Sequence, residues 1–134
     1  MKYGLIGEKL GHSFSKEIHE RLGYDYELCE IASGELEGFM RARDFDGINV
    51  TMPYKAAVIP YLDYIDEPAE KIGAVNTVIN RDGKLYGYNT DFMGMSVLAD
   101  KTGLDFKDKK VRNGIMNFDT YMRSYAYVLK CRKQ

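Results

Sequence analysis

The sequence predicts an α/β fold, a three-layer sandwich built around a mixed, mostly parallel sheet of about six strands. Short apolar and β-branched runs alternate with helical patterns from Tyr3 to Lys101, and this alternation is typical of α/β domains. The turn sequence Arg81-Asp82-Gly83 joins two β-rich runs, which predicts a hairpin and therefore some antiparallel pairing. The length of 134 residues fits one compact domain.

The first half of the chain contains three predicted strands and at least two predicted helices. The elements are a strand at Tyr3–Gly7, a helix at Phe14–Leu22, and strands at Tyr24–Ile31 and Gly47–Thr51. Ser33 is a candidate N-cap for a helix whose first turn holds Glu35 and Glu37. Pro53 follows the third strand at a site suited to the first position of another helix, where its missing N–H costs nothing.

The second half continues the alternation. Pro60 and Pro68 divide the next segment into short helical pieces. The remaining elements are β-rich runs at Ala74–Asn80 and Lys84–Tyr88, and a helix at Asp91–Lys101 that ends at Thr102-Gly103. A glycine at that point is typical of a helix C-terminus.

Composition excludes several classes of function. The net charge of −1 argues against nucleic acid as a partner, and no apolar run approaches the roughly 20 residues that span a bilayer. We expect no membrane association and, since the N-terminus lacks a signal-peptide pattern, a cytoplasmic location. Cys29 and Cys131 have no metal-ligand spacing and are predicted to be free thiols.

Charge divides the chain near residue 110. Residues 1–110 carry 14 Lys+Arg and 19 Asp+Glu, whereas residues 111–134 carry 5 and 1. Apolar and aromatic residues of this tail recur at helical spacing at Phe118, Tyr121, Met122, Tyr125 and Leu129. We therefore predict a domain at 1–110 and a basic, aromatic helix or tail at 111–134, which packs on the domain or pairs with a second chain as a homodimer.

Lys55 and Asp91 are the candidate acid–base pair. Lys55 is placed in the first turn of the helix predicted after Pro53, where the positive end of the helix dipole disfavours an ammonium. The alternative is a solvated surface lysine. Asp91 follows a strand and opens a helix, so it is either a helix-start residue or a carboxylate that orients Lys55. An ammonium and a carboxylate at one alcohol are a pair that general acid–base catalysis uses.

Four further polar residues are candidates for binding. Ser13 and Ser15 lie two apart, so in an extended loop both hydroxyls point the same way and can grip one carboxylate or diol, unless one of them caps the next helix. Thr51 and Asn76 lie at strand ends, where they can bond substrate hydroxyls or loop backbone. His12 and His19 have no companion metal ligands, so we expect no metal site.

Several stretches of the chain belong together as a set of motifs: Tyr3–Gly7, Gly11–Ser15, Asn49–Lys55, Ala74–Val78 and Gly87–Asp91. In this order they resemble the substrate-binding half of shikimate dehydrogenase. The resemblance implies an aminoacid dehydrogenase-like N-terminal domain that takes shikimate or 3-dehydroshikimate. It further implies that Ser13 and Ser15 meet the substrate carboxylate, that Thr51, Asn76 and Asp91 bond ring hydroxyls, and that Lys55 and Asp91 form the catalytic pair of an NADP-dependent reaction.

The chain also departs from the family. Lys9 and Lys16 stand where the family often has proline, at positions that are not family ligands. After Val111 no G-x-G-x-x-G fingerprint follows, so we predict no Rossmann domain, poor NADP binding and no hydride transfer by this chain alone. An isolated domain, a truncated or frameshifted product and a fragment all fit this pattern. The alternative function is a non-catalytic module that senses shikimate or quinate.

Overall fold

A computed structural model of the chain describes residues 1–11 and 13–103. Several predictions fall outside the described residues. These are the ones that concern His12, Cys131, the domain boundary after residue 110 and the helical tail.

The described residues form one six-stranded sheet in the order β2-β1-β3-β5-β6-β4. The strands are β1 (Tyr3–Gly7), β2 (Tyr26–Glu30), β3 (Gly47–Val50), β4 (Tyr64–Ile65), β5 (Thr77–Arg81) and β6 (Lys84–Tyr88). Strand β1 pairs in parallel with β2 and β3, and β4 pairs in parallel with β6. Only β5 runs antiparallel to its neighbours β3 and β6. The predicted mixed, mostly parallel sheet is confirmed.

The hairpin between β5 and β6 follows from its turn residues. Asp82 and Gly83 both have positive φ, 53° and 79°, which is the geometry of the two-residue turns that suit twisted antiparallel strands. The Asn80 side chain accepts a hydrogen bond from the Gly83 N–H at 3.0 Å. The turn fixes the register at Arg81 opposite Lys84, and this register orients the whole of β6.

The helices cover both faces of the sheet. They are α1 (Ser15–Arg21), α2 (Leu36–Ala42), α3 (Glu67–Ile72) and α4 (Thr90–Thr102). The main core lies on one face, where Ile6 and Val78 pack with Met40 of α2 and Ala69 of α3. On the other face Tyr26 stacks against the His19 ring of α1. Among the described residues, no helix has the length and apolar character needed to cross a membrane.

The segment after β3 corrects one prediction. Residues 52–58 form successive hydrogen-bonded turns, not the α-helix predicted after Pro53. The Lys55 carbonyl accepts from the Val75 N–H at 2.8 Å, and the Ile59 N–H instead donates to Ala56 at 3.3 Å. Because that carbonyl is used by another part of the chain, the helical hydrogen-bond pattern does not continue from Lys55. Lys55 therefore does not lie in the first turn of an α-helix.

Two smaller corrections concern a cap and a strand. Ser33 is the first residue of a 3₁₀ turn at Ser33–Glu35 and provides no side-chain cap. The Ala32 N–H instead donates to the Glu35 carboxylate at 3.3 Å. Strand β4 was not predicted, since two residues are too few to show a period in the sequence.

Asp63 joins the segment before β4 to β6 and gives the fold a testable pH dependence. Its carboxylate accepts from the Leu85 N–H at 2.8 Å and from Arg43 at 2.9 Å. The Leu85 N–H, followed by the Arg43 guanidinium, lowers the pKa of Asp63 from its ordinary value of 3.8. A lowered pKa means that the ionised carboxylate stabilises the fold above pH 3.8 and that this stability is lost as the pH falls through the lower folded value.

We expect Asp63→Asn to lower the Tm at pH 7, because the neutral amide loses the charge-assisted bonds to Leu85 and Arg43. The Tm difference from the wild type should shrink as the pH is brought below 3.8. Thermal unfolding followed by circular dichroism at pH 7 and at pH 3 measures both effects. Asp44→Asn, which removes the same charge from an exposed residue, is the control. A Tm difference that is constant with pH contradicts the interpretation.

Candidate functional site

One cavity of about 640 Å³ opens at a single edge of the sheet. Strands β1, β3 and β6 end at this edge, and antiparallel β5 begins there. Loops at the carboxyl ends of strands are where α/β sheets bind ligands. All the candidate residues of the sequence line this cavity: Ser13, Ser15, Thr51, Lys55, Asn76 and Asp91.

Lys55 and Asp91 form an ion pair in the cavity wall. Lys55 Nζ lies 2.5 Å from Asp91 Oδ2, and the two side chains are 14% and 50% exposed. The lysine is held by its turn, since the Lys55 carbonyl accepts from Val75. The pair thus places a proton donor beside a half-exposed carboxylate that a ligand hydroxyl can reach.

The loop that carries Ser13 and Ser15 is held in part by one of its own side chains. Ser13 Oγ accepts from the Ser15 N–H at 3.2 Å, which leaves the Ser13 hydroxyl proton free to be donated to a ligand. Neither serine is the N-cap of α1, because Phe14 occupies that position without a side-chain cap. His19 Nδ1 lies 2.7 Å from the Ser15 carbonyl oxygen, so this nitrogen carries the proton and donates.

Two buried asparagines place the first turn of α4. Asn76 Oδ1 accepts from the Thr90 N–H at 2.9 Å, and Asn76 Nδ2 donates to Thr90 Oγ1 at 2.9 Å. Asn89 caps the helix by accepting from the Phe92 N–H at 3.0 Å, and it donates to the Ala74 carbonyl at 2.8 Å. Asp91 lies in this turn, so the asparagines position the carboxylate that pairs with Lys55.

The sequence did not single out a polar chain beneath the cavity. The Tyr26 hydroxyl donates to Asn49 Oδ1 at 2.7 Å, and Asn49 Nδ2 donates to Thr77 Oγ1 at 3.2 Å. Burial raises the pKa of Tyr26 to about 12, so its hydroxyl stays protonated and keeps the Asn49 amide in one orientation. Asn49 alternates with buried Ile48 and Val50, and that alternation was a usable signal. Nothing in the sequence pointed to Tyr26.

A family model for the shikimate dehydrogenase substrate binding domain matches residues 5–78. The chain belongs to the shikimate dehydrogenase family. This match confirms the resemblance given by the sequence motifs and assigns residues 5–78 to the family's substrate-binding domain. The match includes Ser13, Ser15, Thr51, Lys55 and Asn76.

Relatives agree with this assignment. The chain is 44% identical over 115 residues to shikimate dehydrogenase (NADP(+)) of Clostridium beijerinckii, with 79% of the chain and 43% of that protein covered. The chain is 48% identical over 117 residues to shikimate dehydrogenase (NADP(+)) of Halothermothrix orenii, with 80% of the chain and 40% of that protein covered. The chain thus spans less than half the length of these shikimate dehydrogenase relatives.

Solved structures show the same fold. Shikimate 5-dehydrogenase from Thermus thermophilus, crystallised in complex with shikimate, matches with a TM-score of 0.80 at 30% identity and covers 98% of this chain and 53% of that one. Shikimate dehydrogenase 1 from Peptoclostridium difficile matches with a TM-score of 0.77 at 35% identity, covering 97% and 52%.

Proposed function

We propose that this chain binds shikimate or 3-dehydroshikimate in the cavity at the sheet edge. The observation that carries the proposal is the convergence of Ser13, Lys55, Asn76 and Asp91 from four separate segments on one cavity. The Thermus thermophilus relative, solved with shikimate, supports the choice of ligand. The hydroxyls of Ser13 and Ser15 donate hydrogen bonds to the ring carboxylate. Thr51, Asn76 and Asp91 form hydrogen bonds with the ring hydroxyls.

The Lys55–Asp91 pair is suited to proton exchange at one ring oxygen. In reduction the Lys55 ammonium donates a proton to the carbonyl oxygen, and in oxidation the neutral Lys55 amine accepts the proton of the alcohol. Asp91 holds Lys55 at 2.5 Å. This pair favours an enzymatic role over a module that only senses shikimate or quinate, because sensing requires no proton donor. The reaction proposed for a complete enzyme of this kind is the interconversion of 3-dehydroshikimate and shikimate.

The residues present do not fit NADP. The relatives are NADP(+) enzymes, but the sequence contains no two glycines separated by one residue and hence no G-x-G-x-x-G fingerprint. The fingerprint glycines let the backbone approach the pyrophosphate. We therefore propose that this chain supplies the substrate contacts and the proton donor and binds NADP poorly.

We expect the chain alone to be inactive in hydride transfer. The purified 134-residue chain mixed with shikimate and NADP should form no NADPH, because hydride transfer needs the two reactants held about 3 to 3.5 Å apart. Absorbance at the NADPH wavelength measures this, with a complete family enzyme as the positive control. NADPH formation above the rate without protein would show a nucleotide site in this chain.

The described residues leave part of the sheet uncovered, and this supports a proposal about the tail. A groove of about 660 Å³ lies between α1 and the sheet and is lined by Leu22, Tyr24 and Ile79 among others. Leu22 and Tyr24 are 67% and 52% exposed. Residues 111–134 are proposed to cover this groove or to pair with a second copy in a homodimer, in the cytoplasm. Amide exchange at several protein concentrations separates the two arrangements.

A further inference from the structure

We propose that Lys9 is an additional ligand for the carboxylate of a ring acid bound in the cavity. The proposal rests on the function proposed above and adds a charged contact to it. The positions of the cavity residues, their pairing and the backbone of the loop that carries Lys9 support it.

The charges that line the cavity do not cancel. Lys9, Lys55 and Asp91 are the acidic and basic side chains, other than histidine, that line it within the described part of the chain. Lys55 is paired with Asp91 at 2.5 Å. Lys9 forms no ion pair with any described residue. The described lining therefore carries one uncompensated positive charge, which favours a ligand with one negative charge.

The backbone holds Lys9 at the serine end of the cavity. On one side the Glu8 N–H donates to the Met52 carbonyl at 3.4 Å, and on the other the Leu10 N–H donates to Glu30 Oε1 at 2.7 Å. Leu10 is 4% exposed, and its carbonyl accepts from the Ser13 N–H at 2.9 Å. Leu10, the residue after Lys9, thus anchors the loop and is bonded directly to Ser13.

An ammonium complements two hydroxyls at a carboxylate. The Ser13 hydroxyl proton is available because its oxygen already accepts from Ser15. Hydrogen bonds in which both groups are charged are stronger than those of neutral donors. Since Lys9 is exposed, salt screens its attraction for an anion. The contribution of Lys9 should therefore decrease as ionic strength rises.

The test compares Lys9→Met with Lys16→Met by titration calorimetry or NMR. Lys16 is a half-exposed lysine of α1 that pairs with Glu20 at 3.7 Å and does not line the cavity. The ligands are shikimate and its neutral methyl ester. Lys9→Met should weaken shikimate binding by about twofold to fivefold at low salt, Lys9→Arg should restore most of it, and Lys16→Met should leave it unchanged. Binding of the ester should be the same in all four proteins.

The outcomes separate this proposal from the function itself. Equal shikimate affinity in the wild type and Lys9→Met, or an equal loss for the ester, overturns the role of Lys9 and leaves the function standing. A wild-type chain that binds neither ligand at millimolar concentration overturns both. Amide spectra of each variant show that the fold is intact before affinities are compared.

Discussion

Replacing Asn89 by alanine is expected to lower the free energy of unfolding by about 2–4 kcal/mol. The side chain is 1% exposed, caps α4 through the Phe92 N–H and satisfies the Ala74 carbonyl. Alanine removes the cap, worth about 1 kcal/mol, and leaves a buried carbonyl without its partner, at about 1–3 kcal/mol. Urea unfolding monitored by circular dichroism measures the sum.

Asn89→Ser separates the two contributions. A serine oxygen can still cap α4, but its side chain is too short to reach the Ala74 carbonyl as the amide does at 2.8 Å. We expect the serine variant to fall between the wild type and Asn89→Ala. An alanine variant within about 0.5 kcal/mol of the wild type, the range of ordinary surface changes, would contradict the role given to Asn89.

Replacing Asn76 by alanine is expected to reduce both stability and ligand affinity. Asn76 is 7% exposed and holds Thr90 through its oxygen and its nitrogen. Its loss should cost about 1–3 kcal/mol of unfolding free energy. Shikimate affinity should fall about tenfold, because one ligand hydrogen bond is lost and the turn that carries Asp91 is less fixed.

Asn80→Ala is the matched control for this effect. Asn80 lies on β5, the strand that begins directly after Asn76. Its side chain donates a hydrogen bond to the Arg43 carbonyl at 2.9 Å and accepts one from the Gly83 N–H at 3.0 Å. Those partners do not line the cavity. The control should lose stability and keep its shikimate affinity. If the two alanine variants bind shikimate equally, Asn76 is not a ligand-binding residue.

The fold could be predicted where local signals agree. The alternation of strands and helices indicated the class, and the turn at Asp82 and Gly83 indicated the antiparallel pair. The prediction was wrong at Lys55, because the Val75 N–H takes its carbonyl from a position 20 residues away. Such a contact leaves no periodic trace in the sequence. The same limit hid β4, whose parallel pairing with β6 is a tertiary contact.

The candidate site likewise combines residues that local motifs indicate with residues that only tertiary contacts bring together. Ser13, Thr51, Lys55 and Asn76 could be proposed from the sequence because they belong to short motifs with recognisable order, and the structure places them in one cavity. The hydrogen bond from Tyr26 to Asn49 could not be predicted, since the two residues lie 23 positions apart and only the folded sheet brings them together. Lys9 departs from the family's usual proline, and its place in the cavity lining became visible only with the loop geometry.

Titration of the ¹⁵N-labelled chain with shikimate tests the proposed binding site. We expect saturable shifts of the amides of Ser13, Ser15, Thr51 and Asn76. We also expect that Lys55→Ala keeps most of the affinity, since Lys55 is already paired with Asp91 in the free protein, and that NADP changes no amide. Absence of shifts at millimolar shikimate, or shifts confined to the groove beside α1, would contradict shikimate binding in the cavity.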